Sequence, residues 1–418
     1  MPSTDANRTV EAVWRIESGR LIAGLARMTG DVGLAEDLAQ EALLAALESW
    51  PRDGVPPKPG AWLMTTAKNR AIDGMRRDER LERKREELGR DLERRGPAAP
   101  ADAALDEIGD DLLSLIFTCC HPLLSREARV ALTLRMLGGL RTEEIARAFL
   151  VPSPTIGQRI SRAKKTLTEA EVPFEVPAGD ELAERFPPVL EVIYLIFNEG
   201  YTATAGADWM RPVLCEDALR LGRVLAELAP REREVHGLVA LMEIQASRIG
   251  SRTDASGAPI LLLDQDRSRW DLILIGRGLK ALDRAEALGG ERGPYFLQAS
   301  IAACHARART AGETDWVRIS DLYDELSKST PSPVIELNRA VALSMAYGPE
   351  AGLGLVDEIV ASGALADYHL LPSVRGDLLE KLGRTDEARI EFERAAAMTD
   401  NERVSELLLA RARSYSSG

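Results

Sequence analysis

The residues from Leu140 to Lys165, LRTEEIARAFLVPSPTIGQRISRAKK, read as helix, turn, helix. Thr142 is placed to cap the first helix, and Ile145 and Ala146 to pack inward. Ser153 is expected as the cap of the second, with Pro154 at its first helical position, where the missing N–H costs nothing. From that start Thr155, Gln158, Arg159 and Arg162 fall on one exposed face, while Ile156 and Ile160 turn to the core. Such a helix presents donors to base edges in a major groove, and Lys164 and Lys165 are placed to hold phosphates. The plainer alternative is an αα-hairpin with a solvated basic face.

A second segment, Pro59 to Arg80, puts Leu63, Ala67, Ile72 and Met75 toward a core and Lys68, Asn69, Asp73, Arg76 and Arg77 outward, beside Trp62. A polar, basic helix with an adjacent aromatic suits single-stranded DNA; taken alone, such a tryptophan is more often a core residue than a base wedge. A third, Leu34 to Trp50, places Asp37, Gln40, Glu41 and Leu44 on one helical face. That acidic and apolar face suits a basic partner protein; taken alone, it reads first as the solvated surface of an amphipathic helix.

The elements that carry these residues are helices. Ala, Leu, Glu and Arg dominate, aromatics are 5% of the 418 residues, and no stretch alternates as a strand does, so the expected class is all-α. The length exceeds one core. The sequence divides at the proline-rich loop Pro51 to Gly60, where the preceding helix is expected to stop at Pro51, and at Gly96 to Ala101 and Val172 to Gly179. Residues 1–95, a linker at 96–105, residues 106–172 and an array over 180–418 follow as domains. Asp31 is expected to cap the helix after Gly30. The dense mixed charge from Arg76 to Arg95 leaves little apolar stripe, so that stretch is expected to project or fray.

Late in the chain, Ala388, Phe392 and Ala395 follow Leu382-Gly383-Arg384 as in the second helix of a tetratricopeptide repeat. Weaker echoes centre on Ile319, Tyr323 and Leu326 and on Ala351 and Leu355. Residues 180–290 show no clear period.

A net charge of −13 confines any contact with DNA to particular regions. Four cysteines, two adjacent, point to a reducing compartment. With no apolar run long enough to span a bilayer, the chain reads as cytoplasmic, without membrane attachment.

Taken together and in order, the three segments resemble regions 2 and 4 of extracytoplasmic-function sigma factors of the sigma-70 family. The resemblance implies that the pattern around Ala35 to Glu41, with Glu36, Asp37, Gln40, Glu41 and Leu44, binds the β′ clamp helices of core RNA polymerase. Region 4 would contact the β flap. Trp62, Lys68, Asn69, Asp73, Arg76 and Arg77 would meet the minus-ten element of promoter DNA. Ser153, Thr155, Gln158, Arg159, Arg162, Lys164 and Lys165 would meet the minus-thirty-five element. The linker resembles the flexible connection that lets the two domains sit apart on polymerase. Two departures are Leu150-Val151-Pro152 where the turn often carries glycine, and the prolines of the 51–60 loop, where the family captures a flipped base.

Downstream, Phe197 to Tyr201 (FNEGY), Leu263 to Asp271 (LDQDRSRWD), Gly293 to Leu297 (GPYFL) and Pro331 to Ala340 are similar to the subgroup with a fused tetratricopeptide-like extension. The expected function is a monomeric sigma factor, and the covalent fusion alone suggests the extension as an intramolecular regulator in place of a separate anti-sigma protein. Asp264, Asp266, Arg267, Arg269, Trp270 and Asp271 form a charged, aromatic cluster that could dock on the sigma domains or on another protein; helix capping and ion pairing between repeats is the plainer use. Cys119-Cys120-His121 lacks a second ligand pair at zinc spacing, and His236, His305 and His369 are isolated, so neither metal, cofactor nor catalysis is expected. A stand-alone helix-turn-helix regulator and a repeat scaffold for protein binding are the rival readings.

Overall fold

A computed structural model of the chain describes residues 3–86, 106–149, 151–202, 210–254, 259–399 and 401–414, with side chains described for these except 3–8, 73–86, 106–110 and 180. The described residues are helical throughout, apart from loops and one isolated bridge between Thr253 and Pro259. They fall into two compact units, Met1–Val192 and Ile193–Gly418.

In the first unit α1 (Ser3–Thr29), α2 (Val32–Asp53) and α3 (Pro59–Glu86) pack on one another. Gly30, at φ 70°, makes the turn between α1 and α2, a conformation that costs a residue with a Cβ. Asp31 then caps α2, its carboxylate accepting from Leu34 N at 2.9 Å. Buried alanines at 23 and 26 of α1 and at 35, 39, 42 and 46 of α2 leave room for close approach, with Trp14, Ile22, Leu25 and Trp50 filling the core around them. Pro51 does not stop α2. It lies in the last turn, where its ring removes one hydrogen bond only, and the helix runs to Asp53 before Gly54 ends it at φ 86°.

Helices α4 (Asp106–Cys119), α5 (Arg126–Met136), α6 (Thr142–Ala148) and α7 (Ser153–Glu169) complete the unit with the start of α8 (Asp180–Tyr201). Helix α4 lies on α1, and α7 contacts both α5 and α2. Phe186 of α8 meets Phe117 of α4 edge-on at 5.3 Å, and Arg185 donates to the Phe117 carbonyl at 2.9 Å. Cys119 and Cys120 are wholly buried in this core. Burial pushes both thiols up, Cys120 to about 11, so they act as small apolar side chains.

In the second unit α10 (Arg233–Ala246) is buried along nearly its whole length by α9 (Pro212–Leu228), α11 (Leu272–Leu288) and α12 (Pro294–Arg307). Glu234 of α10 accepts from Tyr295 N at 2.8 Å and Phe296 N at 3.1 Å, supplying from another helix the cap that α12 lacks. Beyond it α13 (Trp316–Ser329), α14 (Pro333–Tyr347), α15 (Pro349–Ala361), α16 (Leu370–Lys381), α17 (Thr385–Ala397) and α18 (Glu402–Arg413) each pack on the next. This neighbour-to-neighbour packing is that of a helical repeat array.

The expected small and aromatic positions of α17, Ala388, Phe392 and Ala395, are all fully buried. Around Ala351 and Leu355 the register differs: Ala351 is exposed, and Gly352, Leu353, Val356 and Ile359 form the inner face. Helix α15 is rotated by one residue because Gly352 sets its backbone against Ser344 and the Ala340 carbonyl of α14.

Candidate nucleic-acid and protein interface

The acidic start of α2 does not present one uniform surface. Glu36 is 3% exposed, and its carboxylate accepts from Arg135 Nε of α5 at 2.6 Å and pairs with the Lys164 ammonium of α7. Lys164 also lies 3.4 Å from Asp37, and Thr168 donates to Asp31 at 3.2 Å. The last two turns of α7 are thus fastened to the first two turns of α2. Burial alone would raise the Glu36 carboxyl, but Arg135 and Lys164 outweigh it and hold it below the ordinary carboxylate value. The carboxylate is therefore charged at neutral pH, with two cations as its counterions.

Glu36 thus departs from the outward arrangement expected of it, and Lys164 is not available to a phosphate in this arrangement. The physical reason is their mutual pairing, which the spacing within either helix does not reveal. Asp37, Glu41 and Leu44 do face outward; Leu44 is 58% exposed. Gln40 is half-buried, and Glu41 pairs with Arg70 of α3 at 3.1 Å.

On α3, Leu63 and Ala67 are buried, and Lys68 and Asn69 are exposed. Trp62 is half-buried, standing edge-on to buried Trp50 at 5.5 Å. Ile72 is 39% exposed instead of facing the core, because Ala71 takes the inner position there. The side chains of Asp73, Met75, Arg76 and Arg77, and the stretch 87–105 with its linker, lie outside the described residues.

The pair α6 and α7 forms the expected helix-turn-helix, with Ile145, Ala146, Ile156 and Ile160 buried. Its caps are shifted by one residue. Arg141, not Thr142, precedes α6, and Arg141 N donates to Glu144 at 2.8 Å; Pro152 precedes α7, so Ser153 is already helical. Glu144 also binds Arg15 of α1 at 3.0 Å. Gln158, Arg162 and Lys165 are exposed, and Ser153, Thr155 and Arg159 are half-buried. Exposed Gln158 and Arg162 lie on the turns before Lys164, and exposed Lys165 directly follows it.

In the second unit the cluster from Asp264 to Asp271 is largely absorbed by the fold. Asp266 accepts from Ser268, and Asp271 caps α11 through Ile273 N and Leu274 N. Trp270 is buried and Arg267 is held by three internal oxygens, whereas Asp264, Asp266, Arg269 and Asp271 remain at the surface. No helix among the described residues is long and apolar enough to cross a membrane.

Sequence comparison assigns the three packed helices α1 to α3 and the helix-turn-helix segment by segment. Residues 16–81 match Sigma-70 region 2, residues 114–167 match Sigma-70, region 4, and residues 185–286 match a family of unknown function (DUF6596). The chain is 31% identical over 142 residues to the ECF RNA polymerase sigma factor SigL of Mycobacterium tuberculosis, covering 34% of this chain and 76% of that protein. It is 25% identical over 177 residues to the probable ECF RNA polymerase sigma factor SigI of the same species, covering 42% and 60%. Over nearly its whole length, 91% of this chain and 89% of the relative, it is 43% identical to the uncharacterized protein R00370 of Rhizobium meliloti (strain 1021). The chain belongs to the extracytoplasmic-function sigma factors of the sigma-70 family and carries a C-terminal helical extension.

Proposed function

We propose that this sigma factor binds core RNA polymerase through the outward face of α2, with Asp37, Glu41 and Leu44 against the β′ clamp helices. Helix α3 with Trp62, Lys68, Asn69, Asp73, Arg76 and Arg77 would then engage the minus-ten element, and the exposed row of α7 the minus-thirty-five element. The observation that carries this reading is the pairing of an acidic, partly apolar α2 with a basic α7 in the two segments that match regions 2 and 4.

The arrangement described here is the resting form in this reading. Region 4 sits on the first turns of the polymerase-binding helix, so α7 must leave Glu36 before both regions reach their targets. The extension is the natural regulator of that release. It is fused to the sigma segments in this chain, and the relative that is 43% identical spans both parts.

Run-off transcription with core polymerase, from a promoter upstream of the chain's own gene, tests the reading. Specific initiation by the full chain supports it. A chain ended after Val192, which keeps Arg185 and Phe186 on Phe117, then gives the sign of the extension's effect; unchanged binding and transcription would remove the regulatory role.

A further inference from the structure

Two extension motifs with no part in the sigma reading, FNEGY at 197–201 and LDQDRSRWD at 263–271, come together within the second unit. Three arginines join them. The Arg252 guanidinium lies 3.5 Å from the centre of the Tyr201 ring, donates to the Tyr201 carbonyl and donates to Thr202 Oγ1 at 3.0 Å. Arg267 lies 5.1 Å from the Trp270 ring centre and donates to the carbonyls of His305 and Ala308 and to Thr314 Oγ1, each at 2.9 Å. Arg248 stands 5.8 Å from the Tyr201 ring and 5.7 Å from the Trp270 ring, and so reaches both motifs.

The hydrogen-bond and ring partners of Arg248 and Arg267 are aromatic faces, carbonyls and a hydroxyl, and the Glu313 carboxylate, which also acts on Arg267, is outweighed by burial and by Arg248. Neutral acceptors hold a guanidinium in place without cancelling its charge, and like charges in a poorly solvated setting repel strongly. The neighbours register that field. Burial, with a further contribution from Arg248, pulls Arg252 down to about 10. Burial, then Arg248 and Arg267, pulls the His305 imidazole down to about 3, so it is neutral.

The same place holds donors without acceptors. Arg248 Nε, Arg267 Nε and Trp270 Nε1 are buried and make no hydrogen bond, Trp270 is 4% exposed, and His305 Nδ1 beside them is also unpaired and could accept. Indole N–H and guanidinium N–H only donate. Positive charge that Glu313 only partly offsets and unused donors call for the same partner, an oxygen-bearing anion.

We propose that Arg248, Arg267 and Trp270, with Arg252 beside them, form a binding site for the phosphate or carboxylate group of a small molecule. The forked guanidinium suits either group, because both offer two oxygens side by side. The burial of Arg252 and Trp270 makes the site recessed, which favours a small anion over a nucleic-acid backbone. An occupied site would tie the C-terminal end of α8 to the loop before α11, giving the extension a chemical input. The inference stands whether or not the sigma reading holds.

The test is thermal unfolding and calorimetric titration of the full chain with inorganic phosphate and, separately, malonate, against sodium chloride at matched ionic strength. The expected result is a saturable rise in melting temperature with at least one anion. Arg248→Gln should weaken that binding at least about tenfold and leave the unliganded melting temperature equal or higher, since it removes a like charge. Arg248→Lys, which keeps the charge but loses the fork, should fall between wild type and Arg248→Gln. Phosphate alone, or malonate alone, identifies which group the site takes. No saturable effect of either anion beyond chloride, or equal binding by wild type and Arg248→Gln, would overturn the proposal.

Discussion

Arg135 of α5 and Glu36 of α2 are joined by a hydrogen bond of 2.6 Å, and the Lys164 ammonium of α7 closes on the same carboxylate. Glu36 is thereby the fixed point at which region 4 meets region 2. A buried carboxylate with two cations is costly to break from one side, because the groups left behind keep their desolvation cost without their partner. Three consequences can be measured.

Glu36→Ala leaves Arg135 and Lys164 without their shared counterion. The expected loss is about 3 kcal/mol of unfolding free energy, measured by urea denaturation at neutral pH. A change within experimental error would mean that the contact does not hold the unit together.

Lys164→Ala removes the pairing of α7 with Glu36 and Asp37 and leaves the Thr168 to Asp31 and Arg135 to Glu36 bonds in place. A weakening of about 1.5 kcal/mol in the closed arrangement corresponds to roughly a tenfold larger open fraction. Affinity for core polymerase, measured without DNA, should therefore rise by up to that factor. A fall would place Lys164 in the polymerase contact itself.

The contact also has a pH signature. Glu36 titrates below its unfolded value in the folded chain, so its contribution is complete above the unfolded value of about 4.3 and is lost as pH falls through the folded one. The contribution of Glu36 to the stability of the first unit should be present in full and independent of pH between about 6 and 8, and should drop in acid. Comparison of wild type with Glu36→Gln isolates the effect: their difference in urea midpoint should shrink below about pH 4.

Asp37→Arg and Glu41→Arg alter exposed charges, and neither should cost more than about 0.5 kcal/mol of stability. Both should weaken polymerase binding measured by co-elution. Misfolding of either variant would contradict their assignment to an outward face.

Arg159→Ala on α7 should cost about 1–3 kcal/mol at one base pair of the cognate site if its guanidinium reads guanine. An equal loss on every DNA sequence, measured by fluorescence anisotropy, would reduce it to a phosphate contact.

Much of this was legible before any coordinates. Asp31 announces a cap by type and position, and Ile145, Ile156 and Ile160 announce the inner face of the helix-turn-helix by spacing alone. Ala388, Phe392 and Ala395 likewise follow from a local period. What stayed hidden depends on partners far along the chain. Glu36 looks like one more acidic residue on an amphipathic helix until Arg135, 99 residues away, is placed against it. Nor does local pattern reveal that Ala71 displaces Ile72 from the core, or that Pro51 sits late enough in α2 to be tolerated. The arginines at 248, 252 and 267 carry no common motif and meet only through tertiary packing.

The most direct test is passage of the purified full chain over a sizing column with bacterial core RNA polymerase, followed by run-off transcription from a promoter upstream of its own gene. Co-elution and a transcript of defined start, both strengthened in Lys164→Ala on the polymerase-binding step, are the predicted result. Absence of co-elution for wild type and Lys164→Ala alike would contradict the assignment of α2 as the polymerase-binding helix and of the closed contact as its restraint.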